Sequence, residues 1–137
     1  MPDRQAIVPA LKVTSEEWKV DIINMSFGWE LQDDDNGVED ALNTMGNLGC
    51  VLVFASSTNG GALTDILFPA RHRDVIAVDA VDGLGKPFSN TGSMDSGRKQ
   101  ERFSAPGLNV ASLGGTRVTG SSFASPIVAG IAGLVLE

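Results

Sequence analysis

Two adjacent serines, Ser121 and Ser122, stand in the phrase TGSSFASPIVAG (Thr119–Gly130), between a glycine and a run of small apolar residues. A serine placed there has two uses. It can cap a helix, its oxygen accepting a backbone N–H of the first turn. It can also be a nucleophile, because the free N–H groups and positive dipole end of a helix stabilise charge developing on a carbonyl oxygen under attack. Local chemistry leaves both uses open. A serine nucleophile further needs an imidazole to take its proton and a carboxylate to orient that imidazole. The chain has one histidine, His72, in ARHRDV.

Other patterns carry less. Gly115 to Ser122 has the glycine spacing of a P-loop, but that loop needs lysine where Ser121 stands. His72-Arg73-Asp74 lacks the downstream asparagine of a kinase catalytic loop. Asn24-Met25-Ser26 spells a glycosylation sequon inside a segment that reads as buried strand. Asp33, Asp34 and Asp35 are consecutive, without the alternating spacing of a calcium loop, and read as a solvated loop. Neither a metal nor a cofactor is expected. Cys50 lies in the apolar run from Leu48 to Phe54 and reads as a small buried residue.

The elements that must position these residues fit one domain over residues 1–137. At 137 residues and 42% apolar, the chain can bury a real core but not two. Its net charge of −7 argues against a nucleic-acid or anionic-membrane partner. The N-terminus lacks the apolar core of a signal peptide, and no run reaches the ~18 residues of a membrane span. With a single cysteine, this leads to the expectation of a soluble chain in a reducing, cytoplasmic setting, unless a signal lies upstream.

Thr14 and Glu17 have capping-box spacing and predict a helix start before Trp18. Ile22 to Met25 reads as a buried strand, broken by Gly28. Asp33 to Gly37 reads as an acidic loop closed by an Asn36-Gly37 turn. Val38, Ala41, Leu42 and Met45 recur at helical spacing. Residues 50–56 and 75–81 are apolar strands, 82–100 is rich in turn formers, and RFSAPG leads into a short strand candidate, Asn109 to Leu113. Small residues after Ser122 (Ala124, Ala129, Gly130, Ala132, Gly133) suit a last helix packed closely on a sheet. Pro126 is costly inside a helix. Uniformly apolar strands alternating with helices predict an α/β fold, a parallel sheet with helices on both faces.

The phrase GSSFASPIVAG resembles the serine signature of the subtilisin-like proteases (subtilases, peptidase S8 family), G-T-S-x-A-[ST]-P-x-x-A-G. Gly120, Ser122, Ala124, Ser125, Pro126, Ala129 and Gly130 match, and Ser121 replaces the usual threonine. The resemblance continues upstream to Asp21, implying the central and C-terminal part of the catalytic domain, with the N-terminal part missing. It places Ser122 on the nucleophile. It places Ser26, Phe27 and Gly28 along the specificity cleft, with Ser56 and Ser57 on the facing strand and loop. Leu67 and Phe68 fall on the pocket for the side chain before the scissile bond. Asn59 takes the position of the oxyanion asparagine, with Thr58 replacing the usual glycine. An amide donates to an oxyanion without carrying a titratable charge. Losing it costs roughly 10²–10³ in turnover, a magnitude that comes from subtilisin itself. The implied partner is a peptide or protein substrate, and Asn59 and Ser122 are expected to converge.

The base is missing. The family's order is Asp, His, Ser, whereas His72 follows Asn59 and begins no His-Gly-[ST] phrase, so it reads as a loop or surface histidine. Asp95-Ser96-Gly97 imitates the family's Asp-[ST]-Gly but follows Gly-Ser-Met, and reads as a turn. The expectation is therefore a segment before Met1 that carries both Asp and His, so that this chain alone is inactive. The alternative is a non-catalytic relic or a peptide- or protein-binding module that retains part of the subtilisin-like fold.

Overall fold

Asp3 opens the first helix: its carboxylate accepts from the Gln5 N–H at 3.0 Å, and α1 runs Arg4–Lys12 with Ile7 and Leu11 buried. The computed structural model describes residues 3–48, 52–56, 66–87 and 101–137, with the backbone alone at 52–56. After α1 the chain makes a π-helical turn, Val13–Glu17. Thr14 therefore lies at the end of a helix and does not begin one. Its hydroxyl donates to the carbonyls of Ala10 at 2.9 Å and Leu11 at 3.0 Å, and Ser15 donates to Leu11 at 2.8 Å. Hydroxyls that bond back to the preceding turn defeat the capping reading.

Helix α2 spans Asn36–Leu48 and buries Val38, Ala41, Leu42 and Met45, as their spacing predicts. Asn36 and Gly37 belong to its first turn, so the expected turn there is absent. The residue that decides this is Asp35, whose carbonyl accepts from Val38 N at 3.0 Å and Glu39 N at 3.1 Å. Asp35 is also the correction to the solvated acidic loop, being only 2% exposed. Its carboxylate accepts from Trp29 Nε1 at 2.8 Å, Gln32 N at 2.8 Å and Arg4 Nη1 at 3.2 Å.

Strands β1 (Ile22–Met25), β2 (Leu52–Ser56), β3 (Ile76–Val81) and β4 (Arg102–Pro106) form one sheet in that order, parallel throughout. Residues of β3 alternate between two apolar clusters. Ala77 packs with Met25 and the buried faces of α1 and α2, while Val78 and Ala80 pack with Ala105, Ala124 and Ala129. Helices thus cover both faces, the expected α/β layering. In β1 only Met25 is buried, Ile22 and Ile23 are half-buried and Asn24 is exposed, because β1 ends the described sheet. RFSAP, expected as a lead-in to the next strand, is itself a strand, β4; an exposed Phe103 and Ser104 hide its pattern. Arg102 pairs through Nη2 with Asp79 Oδ1 at 2.9 Å and through Nε with Oδ2. The later candidate strand is shorter than expected: β5 (Val110–Ala111) pairs antiparallel with β6 (Arg117–Val118).

The end of β4 sets the start of the last helix. Gly107 donates to Val81 O at 3.0 Å and its carbonyl accepts from Gly120 N at 2.8 Å. A Cβ on Gly107 would lie 2.6 Å from Ala80 Cβ and 2.8 Å from Gly120 O, closer than real atoms approach, so only glycine fits. Helix α3, Ser121–Leu136, follows with Gly120 as its N-cap. It contains Pro126, whose missing N–H leaves the Ser122 carbonyl without its helical donor. No described helix is long and apolar enough to cross a membrane.

Candidate functional site

Ser122 is the second residue of α3 and is partly exposed. Since Gly120 holds the N-cap position, neither serine is the capping residue. The Ser122 hydroxyl makes no hydrogen bond to a described residue, and its position in the first turn puts it among the free N–H groups of the helix start.

One turn on, Ser125 is fully buried at 0% exposure and donates to Asn24 Oδ1 at 2.7 Å. Asn24 Nδ2 in turn donates to Ser26 Oγ at 2.9 Å. The N-terminal part of α3 is thereby tied, one turn beyond Ser122, to the segment leaving β1. Beyond Ser26, that segment runs against residues 67–68. Trp29 N donates to Phe68 O at 2.8 Å and Phe68 N to Trp29 O at 2.9 Å. Gly28 lies so close that a Cβ there would be 3.0 Å from Leu67 Cβ and 3.2 Å from Phe68 O. Phe27 stacks on Trp29 with centroids 6.1 Å apart, and Trp29 meets Phe68 edge-on at 5.4 Å. Leu67 is 3% exposed.

Ser26, Phe27, Gly28 and Leu67 are thus gathered near the C-terminal end of β1, and Ser125 ties the start of α3 to the same place. Open parallel sheets bind ligands at that end of their strands. Ser56 is the last residue of the neighbouring strand β2; its side chain, and Ser57, Thr58 and Asn59, lie outside the described residues, as do Cys50 and Asp95-Ser96-Gly97.

His72 is in a loop, as expected, but it is 7% exposed and not a surface residue. Its Nδ1 accepts from Asp74 N at 3.2 Å, and with Phe68, Arg71 and Asn43 of α2 it lines a cavity of ≈ 710 Å³. Arg73 Nη2 holds Asn43 Oδ1 at 3.1 Å. This locates His72 on the α2 side of the sheet, whereas α3 covers the other side. No hydrogen bond joins it to Ser122. Among the described residues no group of acidic, histidine or cysteine side chains is arranged to hold a metal.

Sequence reasoning missed Asn24 as a link and Asp35 as an anchor. A lone polar residue inside the apolar run IINM was the available signal for Asn24. Nothing in the sequence distinguishes Asp35 from Asp33 and Asp34.

The family model described as Subtilase family (peptidase S8) matches residues 3–137. The chain belongs to the subtilase family. Among curated subtilases, the thermostable alkaline protease of Halalkalibacterium halodurans is 38% identical over 129 residues, 87% of this chain and 33% of that protein. Subtilisin DY of Bacillus licheniformis is 34% identical over 135 residues, 91% of this chain and 47% of that one. The solved structure of the prenylagaramide maturation protease PagA superposes with a TM-score of 0.84 at 28% identity, covering 99% of this chain and 50% of PagA. The chain thus spans between about a third and a half of the length of these relatives. Its parallel α/β sheet is a partial subtilase domain.

Proposed function

We propose that this chain carries the nucleophile half of a serine endopeptidase site. Ser122 attacks the scissile carbonyl, and its own N–H and the Asn59 amide donate to the oxyanion. An extended peptide adds as a strand along Ser26, Phe27 and Gly28, with Ser56, Ser57, Leu67 and Phe68 bounding the side-chain pocket. The imidazole that takes the Ser122 proton, and the carboxylate that orients it, come from sequence outside these 137 residues. The supporting observation is the position of Ser122 in the first turn of α3, fastened through Ser125 and Asn24 to Ser26 at the end of β1.

The test is a chimera in which residues 1–137 follow the Asp- and His-bearing half of a curated subtilase. The expected result is cleavage of casein that Ser122→Ala abolishes and Asn59→Ala reduces about 10²–10³-fold. A folded chimera without Ser122-dependent cleavage overturns the reading. It would favour a peptide-binding relic, a second reading supported by the placement of the sole histidine on the α2 side. Coding sequence upstream of Met1 separates the two cheaply, since in-frame Asp-[ST]-Gly and His-Gly-[ST] phrases belong to the enzyme.

A further inference from the structure

Asn24 faces α3 from β1, on the same face as Ser26 two residues on. Its carboxamide has an acceptor end and a donor end that are not interchangeable. The acceptor, Oδ1, is taken by the hydroxyl of the wholly buried Ser125 at 2.7 Å. This leaves Nδ2 to face Ser26, and Ser26 Oγ accepts from it at 2.9 Å. A serine hydroxyl has one proton and two lone pairs. With one lone pair engaged by Asn24, the Ser26 proton points elsewhere, and among the described residues no group accepts it. Ser26 is partly exposed, next to the segment that carries Gly28.

We infer that Asn24 is a positioning residue that aims the Ser26 hydroxyl proton at a carbonyl oxygen of a bound extended peptide, with Ser125 holding the Asn24 Oδ1. The inference rests on the peptide cleft proposed above. It adds a side-chain donor to a segment otherwise expected to pair through its backbone. Asn24→Asp tests it with little change of shape: aspartate still accepts from Ser125, but it accepts from Ser26 as well and draws the hydroxyl proton inward. Ser26→Ala removes the proton altogether.

The experiment is an NMR titration of the 137-residue chain with acetyl-Ala-Ala-Leu-Ala-amide, read at the Gly28 and Ser26 amides. Binding by the unaltered chain should weaken about threefold to tenfold in Asn24→Asp and in Ser26→Ala, the range for one neutral hydrogen bond. The double variant should bind no worse than either single one, since both changes remove the same donor. Thermal midpoints of the three variants provide the control for folding. If Asn24→Asp binds as the unaltered chain does, or if the two losses multiply, the positioning role is wrong. A loss in Asn24→Asp that accompanies a lowered midpoint, with no loss in Ser26→Ala, likewise overturns it and makes Asn24 merely structural. If the unaltered chain shows no shift at Gly28, the cleft itself is wrong and this inference falls with it.

Discussion

Ser122 and Asp35 use polarity in opposite ways. The Ser122 hydroxyl is partly exposed and bonded to no described residue, so Ser122→Ala should leave stability within about 0.5 kcal/mol while removing all activity of a completed enzyme. Asp35 is buried and holds Trp29 Nε1, Gln32 N and Arg4. Asp35→Ala would strand a buried indole donor and should cost about 2–3 kcal/mol, read as a fall in the urea midpoint. The family phrase around Ser122 was legible because its residues are contiguous. Asp35 was not, because its burial depends on Arg4, far back in the chain, and on the packing of Trp29. Asp82 gives a pH prediction. Its carboxylate accepts from the Lys86 and Leu84 amides, both at 2.9 Å, which lowers its pKa below the ordinary 3.8. The stabilisation of that turn is present above 3.8 and lost as pH falls through the lower folded value. The protection of the Leu84 and Lys86 amides, measured as exchange relative to the intrinsic rate at each pH, should fall as pH drops from 3.8 through that lower value, and Asp82→Asn should remove the transition.

Elements were legible where burial and period agree. The buried stripe of α2 and the apolar strands β2 and β3 announce themselves. By contrast β4, with Arg102, exposed Phe103 and Ser104, and Pro106 at its end, has no periodic signal. Asn-Gly favours a turn, but the Asp35 carbonyl accepts from Val38 N and Glu39 N and starts α2 there instead. Two glycines should respond oppositely to the same change. Gly107→Ala forces a Cβ against Ala80 and the Gly120 carbonyl, displacing the entry to α3 at a cost of about 1–3 kcal/mol. Gly130 lies inside α3, with nothing within 4 Å of an added Cβ. Gly130→Ala should stabilise by about 0.5–1 kcal/mol through helix entropy. Thermal melts of the two variants, followed by circular dichroism, check the contrast.

At the scale of the molecule, the sheet and its two helical layers were readable from composition and alternation, and the family from one phrase around Ser122. The convergence of distant residues was not, since the Ser125–Asn24–Ser26 chain joins the last helix to the first strand and no local pattern encodes it. What the whole chain holds decides its chemistry. The sequence has one imidazole, and it is buried on the α2 side, its Nδ1 engaged with Asp74 N, while Ser122 begins the helix on the other side. A serine hydroxyl without a neighbouring base is almost wholly protonated at neutral pH and attacks slowly. What remains without the triad base is binding and oxyanion stabilisation. The purified 137-residue chain should therefore show no cleavage of a broad peptide mixture above a Ser122→Ala control. Cleavage that Ser122→Ala abolishes would mean that a proton acceptor lies within these residues. Its loss in His72→Ala would name that acceptor and require the sheet's two sides to communicate in a way this fold does not show.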